Sequence, residues 1–225
     1  MKQQFQTILC DFDGTISSDD VTDTLLTSLT DDKWITYGEM YVKGKISHAQ
    51  MNKHFASLLK ASPIKVNCVL DTIKLRNGLT KLIKDCKEKN VRFIIISSGW
   101  DYYIKYLFHY PIFQIDDIEL VDSIPDGVIP LISNKVKYDS KKKKWTLTLP
   151  WENLSCSLSS PCKGQLLDLI RNKLGGKIMV IGNSESDLCM AEKGDMVYSV
   201  GALKQLCDKK GLQSNLITSF SEIRL

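Results

Sequence analysis

Asp11 and Asp13 stand one residue apart at the end of a short apolar run, in Ile8-Leu9-Cys10-Asp11-Phe12-Asp13-Gly14-Thr15. Two carboxylates this close repel. A hard cation such as Mg²⁺ relieves that repulsion with oxygen ligands and commonly leaves room for substrate phosphate. A carboxylate can also form an acyl-phosphate that water later cleaves, and a second carboxyl two residues on can protonate a leaving alkoxide. The same residues fit a plainer description, a strand ending in an Asp-rich turn with Gly14 at positive φ. Later residues tip the balance toward chemistry. Lys163, in Pro161-Cys162-Lys163-Gly164 at the start of a helical pattern, puts an ammonium where free N–H groups and the helix dipole already favour an anion.

Each of these groups needs an element to carry it. An apolar strand over Phe5 to Cys10 delivers Asp11 and Asp13 to its carboxyl end, the edge where open α/β sheets place their ligand crevice. Leu79, Leu82, Ile83 and Cys86 predict an amphipathic helix ending near Asn90. The continuous apolar run Val91–Ile96 then predicts a buried strand ending in Ser97-Ser98-Gly99. Leu166, Leu167, Leu169 and Ile170 continue the helix that Lys163 opens, and Lys177–Ile181 is a further buried strand, followed by Gly182-Asn183-Ser184-Glu185-Ser186-Asp187. A last strand near Met196–Val200 completes the sheet.

Between the first strand and the helix at Gly78, residues 17–75 show helical spacing and little strand character. Leu25, Leu26 and Leu29 make one apolar face, and Trp34, Tyr37, Met40 and Tyr41 the next. Met51, Phe55, Leu58 and Leu59 make a third, and Pro63 opens a fourth helix. Ile118–Val121 reads as a strand. Val136–Tyr138 and Trp145–Leu149 read as a β-hairpin beside the main sheet, with Lys141–Lys144 at its tip.

The totals are those of an ordinary globular chain: 225 residues, 43% hydrophobic and 25% charged. A formal charge of +4 is mild, and the lysine run lacks the aromatic platform of a nucleic-acid groove, so neither nucleic acid nor membrane is expected as a partner. No run resembles a signal peptide or reaches membrane-spanning length. Seven scattered cysteines without a Cys-x-x-Cys pair predict a reduced, cytoplasmic protein. Cys156 and Cys162, with no His nearby, do not predict a zinc site.

In this order the motifs resemble those of the haloacid dehalogenase superfamily of phosphatases, in its phosphoserine-phosphatase-like branch, and particularly its relatives that act on a ketose-type phosphate in methionine salvage. Asp-x-Asp-Gly-Thr resembles the first motif and Ser97 the second. Lys163 is similar to the third, and Gly182-Asn183 through Asp187 to the fourth, usually Gly-Asp-x-x-x-Asp. The resemblance implies a doubly wound, Rossmann-like parallel α/β core formed by residues 1–16 and 76–225, with a helical cap domain over 17–75 and an accessory β-hairpin. It implies Mg²⁺-dependent hydrolysis of a small phosphorylated metabolite through an aspartyl-phosphate on Asp11, with Asp13 as general acid and then base. Ser97, Ser98 and Lys163 would hold the phosphoryl oxygens, and Asp11, Asp13, Asn183 and Asp187 the metal. Haloacid dehalogenases proper generally lack the second Asp, so Asp13 argues for phosphoryl chemistry. Asn183 departs from the pattern, since an amide oxygen coordinates Mg²⁺ without contributing charge.

Some alternatives stay open. Asp19 and Asp20 either reach a substrate ammonium or hydroxyl or cap a helix. Trp100, Tyr102 and Tyr103 either pack the next helix or touch ligand. Instead of hydrolysing, the chain could bind a phosphorylated metabolite without turnover, or pass the phosphoryl group to a sugar as a phosphotransferase or phosphomutase.

Overall fold

A computed structural model describes residues 5–225. Its first strand, β1 (Thr7–Cys10), is buried along its whole length. Alternate residues leave opposite faces, as the period of two in a strand requires. Ile8 and Cys10 join one apolar cluster with Phe93, Ile95, Met179 and Ile181. Leu9 joins the other with Ile94, Ile96, Ile178 and Val180. Each fully buried Ile, Leu or Phe side chain contributes about 1.5–3 kcal/mol relative to an exposed one, so a strand apolar on both sides must lie between two helical layers.

Four helices follow β1: α1 (Val21–Leu29), α2 (Lys33–Val42), α3 (His48–Leu58) and α4 (Pro63–Leu70). Their starts are written in the sequence. The Asp20 side chain accepts the Asp23 N–H at 2.9 Å, Ser47 and Gln50 form a reciprocal capping box, and Pro63 opens α4. Leu25, Leu26, Phe55, Leu59, Val66 and Leu70 bury against the same cluster as Ile8. The chain leaves and returns at one place, where Ser17 bridges Leu75 and the Arg76 N–H donates to Ile16 O at 2.8 Å.

The remaining elements are α5 (Leu79–Glu88), β2 (Arg92–Trp100), α6 (Asp101–Leu107), β3 (Ile112–Gln114), β4 (Ile129–Asp139), β5 (Lys144–Thr148), α7 (Lys163–Leu174), β6 (Ile178–Gly182), α8 (Leu188–Ala191), β7 (Met196–Ser199), α9 (Ala202–Lys209) and β8 (Asn215–Leu216). The strand order is β3-β4-β2-β1-β6-β7-β8, all parallel, with β5 antiparallel on β4. Side chains of α5 and α6 pack on one face and those of α7, α8 and α9 on the other, giving the expected doubly wound, Rossmann-like α/β fold. Between β1 and β6 the order reverses, which puts the ends of these two strands at the crevice.

Three expectations are corrected. Ile118–Val121 is not a strand but part of a 3₁₀ turn, Ile118–Asp122, begun by the Asp117 side chain accepting the Glu119 N–H. The preceding Asp-rich stretch offers the backbone a local cap, and the short strand β3 takes the sheet edge instead. The hairpin is not separate from the main sheet, because its first arm is the outer half of β4: Leu131 pairs with Ile95 of β2, while Val136 pairs with Leu147 of β5. Finally, β2 does not stop at Ile96 but continues to Trp100 through a register shift against β4.

Candidate active site

At the carboxyl end of β1, Asp11 is 3% exposed and held from two sides. Thr15 donates its hydroxyl to Asp11 Oδ2 at 3.2 Å, and Lys163 donates from Nζ to Oδ1 at 2.5 Å. Lys163 is the first residue of α7 and is itself 1% exposed. Its ammonium also reaches Asp187 Oδ1 at 2.6 Å. The other Asp187 oxygen accepts the N–H groups of Asn183 and Ser184 at 2.8 and 3.1 Å, which folds the loop after β6 around the carboxylate. Burial, and then the neighbouring Asp187 charge, push Asp11 up to about 7 against the pull of Lys163. The two carboxylates together outweigh the burial cost on Lys163 and raise its pKa, keeping it charged.

Asp13 lies in a different setting. Its Oδ1 accepts the Val21 N–H at 3.1 Å, and its Oδ2 accepts the Tyr103 hydroxyl at 2.7 Å and the Ser97 hydroxyl at 3.3 Å. Burial, then the charges of Asp20 and Asp11, raise its pKa well above the usual carboxylate range, so that it favours its protonated form. Gly99 makes this geometry accessible: a Cβ there would come within 1.7 Å of the Tyr103 oxygen and 2.3 Å of Asp13 Oδ2. Gly14, at φ +70°, turns the chain out of β1 and brings its backbone against Asn183, whose Nδ2 a Cβ would meet at 2.1 Å. Arg76 fixes this turn from below by donating to the carbonyls of Thr15 and Gly14 at 2.8 and 2.9 Å.

Asp11, Asp13, Lys163, Asn183, Ser98 and Asp20 all line one cavity of about 150 Å³. Ser97 and Asp187 stand behind that lining. The Ser97 hydroxyl, fully buried, takes the Gly99 N–H at 2.9 Å and serves Asp13, so it reaches the site through that residue. Ser98 instead has a buried hydroxyl with no protein partner, as does the Asn183 amide oxygen. Asp20 caps α1 and faces the cavity at once, so the two readings of this residue are compatible. Asp187, expected as a metal ligand, turns one oxygen to Lys163 and the other to the loop N–H groups.

The helical insertion supplies the opposite wall. His48, Met51, Asn52 and Phe55 of α3 line the cavity at the spacing of one helix face. Asn52 joins the two sides, donating to Ser98 O at 3.5 Å and accepting from the Trp100 indole at 3.4 Å. Asn134 of β4 holds the loop from behind, donating to Ser98 O at 2.8 Å and to Ser160 O at 3.0 Å. Burial, helped by Lys163, lowers His48 to about 4, so its imidazole is neutral at pH 7.

Sequence reasoning gave Tyr103 only packing or ligand contact, not the hold on Asp13, and had no role for Asn134, Arg76 or the polar members of the α3 face. Only the last left a usable trace, since His48 and Asn52 flank the apolar Met51 and Phe55 at helical spacing where an all-apolar stripe would complete a core.

The model of the haloacid dehalogenase-like hydrolases matches residues 8–192, from β1 into the segment after α8. The chain belongs to this family. A 2-hydroxy-3-keto-5-methylthiopentenyl-1-phosphate phosphatase of Exiguobacterium sp. AT1b is 23% identical over 96% of this chain and 94% of its own length. Among solved structures, a phosphoserine phosphatase captured as a phospho-aspartyl intermediate analogue superposes with a TM-score of 0.68, at 19% identity over 98% of both chains. A HAD family hydrolase of Salmonella enterica serovar Typhi gives the same TM-score at 21% identity, over 94% of this chain and 66% of its own. These structural likenesses are ones of fold.

Proposed function

We propose that the chain is a Mg²⁺-dependent phosphatase of a small phosphomonoester, with Asp11 as nucleophile. The observation that carries this reading is the contrast within one cavity: Asp11 is paired with a buried ammonium, while Asp13 is held by the hydroxyls of Tyr103 and Ser97 and the Val21 N–H. An Asp11 oxygen attacks phosphorus, the P–O ester bond breaks, and the leaving alkoxide takes the Asp13 proton. Asp13, now a carboxylate, removes a proton from water, and that water attacks the aspartyl-phosphate. Inorganic phosphate leaves, and Asp11 and protonated Asp13 are restored. Lys163 neutralises charge on Asp11 and the transferring group. Tyr103 and Ser97 hold Asp13 in position.

The donor set suits Mg²⁺. Asp11 offers a carboxylate, and the buried Asn183 amide oxygen lacks a partner that a hard cation would supply. Asp13 adjoins them, and Asp187 acts through Lys163 and the loop. When bound, Mg²⁺ offsets the negative charge of substrate phosphate. The cavity needs that help, because Asp20 and Asp23 line it beside the single Asp11–Lys163 pair. Residues 17–75 act as the cap that selects substrate over the core of 1–16 and 76–225. The chain's similarity to 2-hydroxy-3-keto-5-methylthiopentenyl-1-phosphate phosphatases supports a ketose-type phosphate as substrate, and seven cysteines, none in a disulfide, support a cytoplasmic setting.

Phosphate release from an aryl phosphate at neutral pH, with and without Mg²⁺, tests this. Turnover that requires Mg²⁺ and vanishes in Asp11→Asn is expected. Asn183 favours one second reading, a phosphate-binding protein with weakened catalysis. No turnover in the native chain, and none restored by Asn183→Asp, would establish that reading instead. Suppression of phosphate release by an added sugar would point to a phosphotransferase or phosphomutase.

A further inference from the structure

Away from the phosphoryl chemistry, three thiols meet. Cys156 of the 155–162 loop, Cys162 at the N-cap of α7 and Cys189 of α8 place their sulfurs within 4.8 Å of one another. All three are free thiols; Cys162 is buried and the other two are half-buried. The backbone around them is pinned. Cys156 N–H donates to Ser159 O at 3.0 Å, Cys162 N–H donates to Leu154 O at 2.5 Å, and Gly164 N–H reaches Cys189 Sγ at 3.2 Å.

Tetrahedral Zn²⁺ with Zn–S bonds near 2.3 Å brings its thiolates to about 3.8 Å from one another, a small contraction of the triangle already present. Among the described residues, no His or carboxylate joins these thiols within the same reach, so the fourth position falls to solvent, which the half-buried Cys156 and Cys189 admit. The N-terminus of the twelve-residue helix α7 offsets part of the negative charge.

We propose that Cys156, Cys162 and Cys189 form a three-thiolate site for Zn²⁺, distinct from the Mg²⁺ position. Binding exchanges the thiol protons for metal–sulfur bonds and releases them to solvent, with no change of oxidation state. Cys162 precedes Lys163, and Cys189 lies two residues beyond Asp187. The ion would therefore brace the two segments that hold the Lys163–Asp187 pair.

Titration of the reduced full chain with Co²⁺ provides the test, independently of any turnover. The expected result is sulfur-to-cobalt charge-transfer absorption with tetrahedral bands, complete at one equivalent, bleached by Zn²⁺ and absent in Cys156→Ser. Zn²⁺ should also raise the melting temperature of the native chain but not of Cys189→Ser. Octahedral cobalt bands without sulfur charge transfer, the signature of an all-oxygen site, would overturn the proposal on the native chain alone. So would a band that survives in folded Cys156→Ser.

Discussion

The floor and the wall of the cavity are built on opposite terms. On the floor, Asp11, Lys163 and Asp187 are almost wholly buried and every charge has a partner, so none can change without exposing the others. On the wall, α3 presents His48, Met51, Asn52 and Phe55; Phe55 packs into the core, and Asn52 is hydrogen-bonded to β2, through long contacts. The lesson is a division of labour. A fixed ion-pair network suits a reaction that repeats unchanged, because buried charges hold their geometry only when fully paired. A face without buried ion pairs suits substrate choice, because a side chain such as Met51 can change without stranding a buried charge.

Lys163→Met breaks this contrast where it is sharpest. It leaves two buried carboxylates facing each other, and we expect a loss of about 3–5 kcal/mol in urea unfolding, with turnover reduced roughly 10³-fold. Tyr103→Phe sharpens it. Asp13 keeps Val21 and Ser97 but loses its shortest contact, so turnover should fall roughly tenfold, with about 1 kcal/mol of stability lost as the buried Thr22 hydroxyl gives up its partner. A loss of folding rather than rate would show that the tyrosine only packs. On the wall, Met51→Ala should move kcat/KM between aryl and ketose-type phosphates by about 1–2 kcal/mol while leaving the aryl phosphate kcat within a few-fold. An equal fall in kcat for both substrates would erase the distinction between floor and wall.

The same contrast explains what could be read from the chain before folding. The floor lies at strand ends, and strands buried on both faces announce themselves as apolar runs. Asp11, Ser97 and Asp187 were therefore visible as residues that follow such runs, and Lys163 as the residue that opens an amphipathic helix. Their partners were not equally visible. Asp187 looks the same in sequence whether or not an ammonium and two N–H groups converge on it. Tyr103 meets Asp13 across 90 residues, and its hydroxyl is silent in a pattern that reports only its ring. Cys189 sits far along the chain from Cys156 and Cys162, so no local spacing could join the three. Ile118–Val121 misled because four residues of strand composition also fit a turn once Asp117 caps it.

The smallest expected effect concerns His48, where wall and floor touch electrostatically. Its pKa of about 4 lies below the ordinary 6.5, since burial and then Lys163 disfavour its charge. The unfolded chain thus binds a proton that the folded chain resists. The stability at stake is fully present above about pH 6.5 and is lost as the pH falls toward 4. Melting temperatures of the native chain and His48→Phe, followed across that interval, should converge or cross as acid is added, the native chain falling more steeply. Parallel curves would mean that the imidazole takes up its proton without cost. The wall at His48 would then be open to water, and the field of Lys163 would end at the floor.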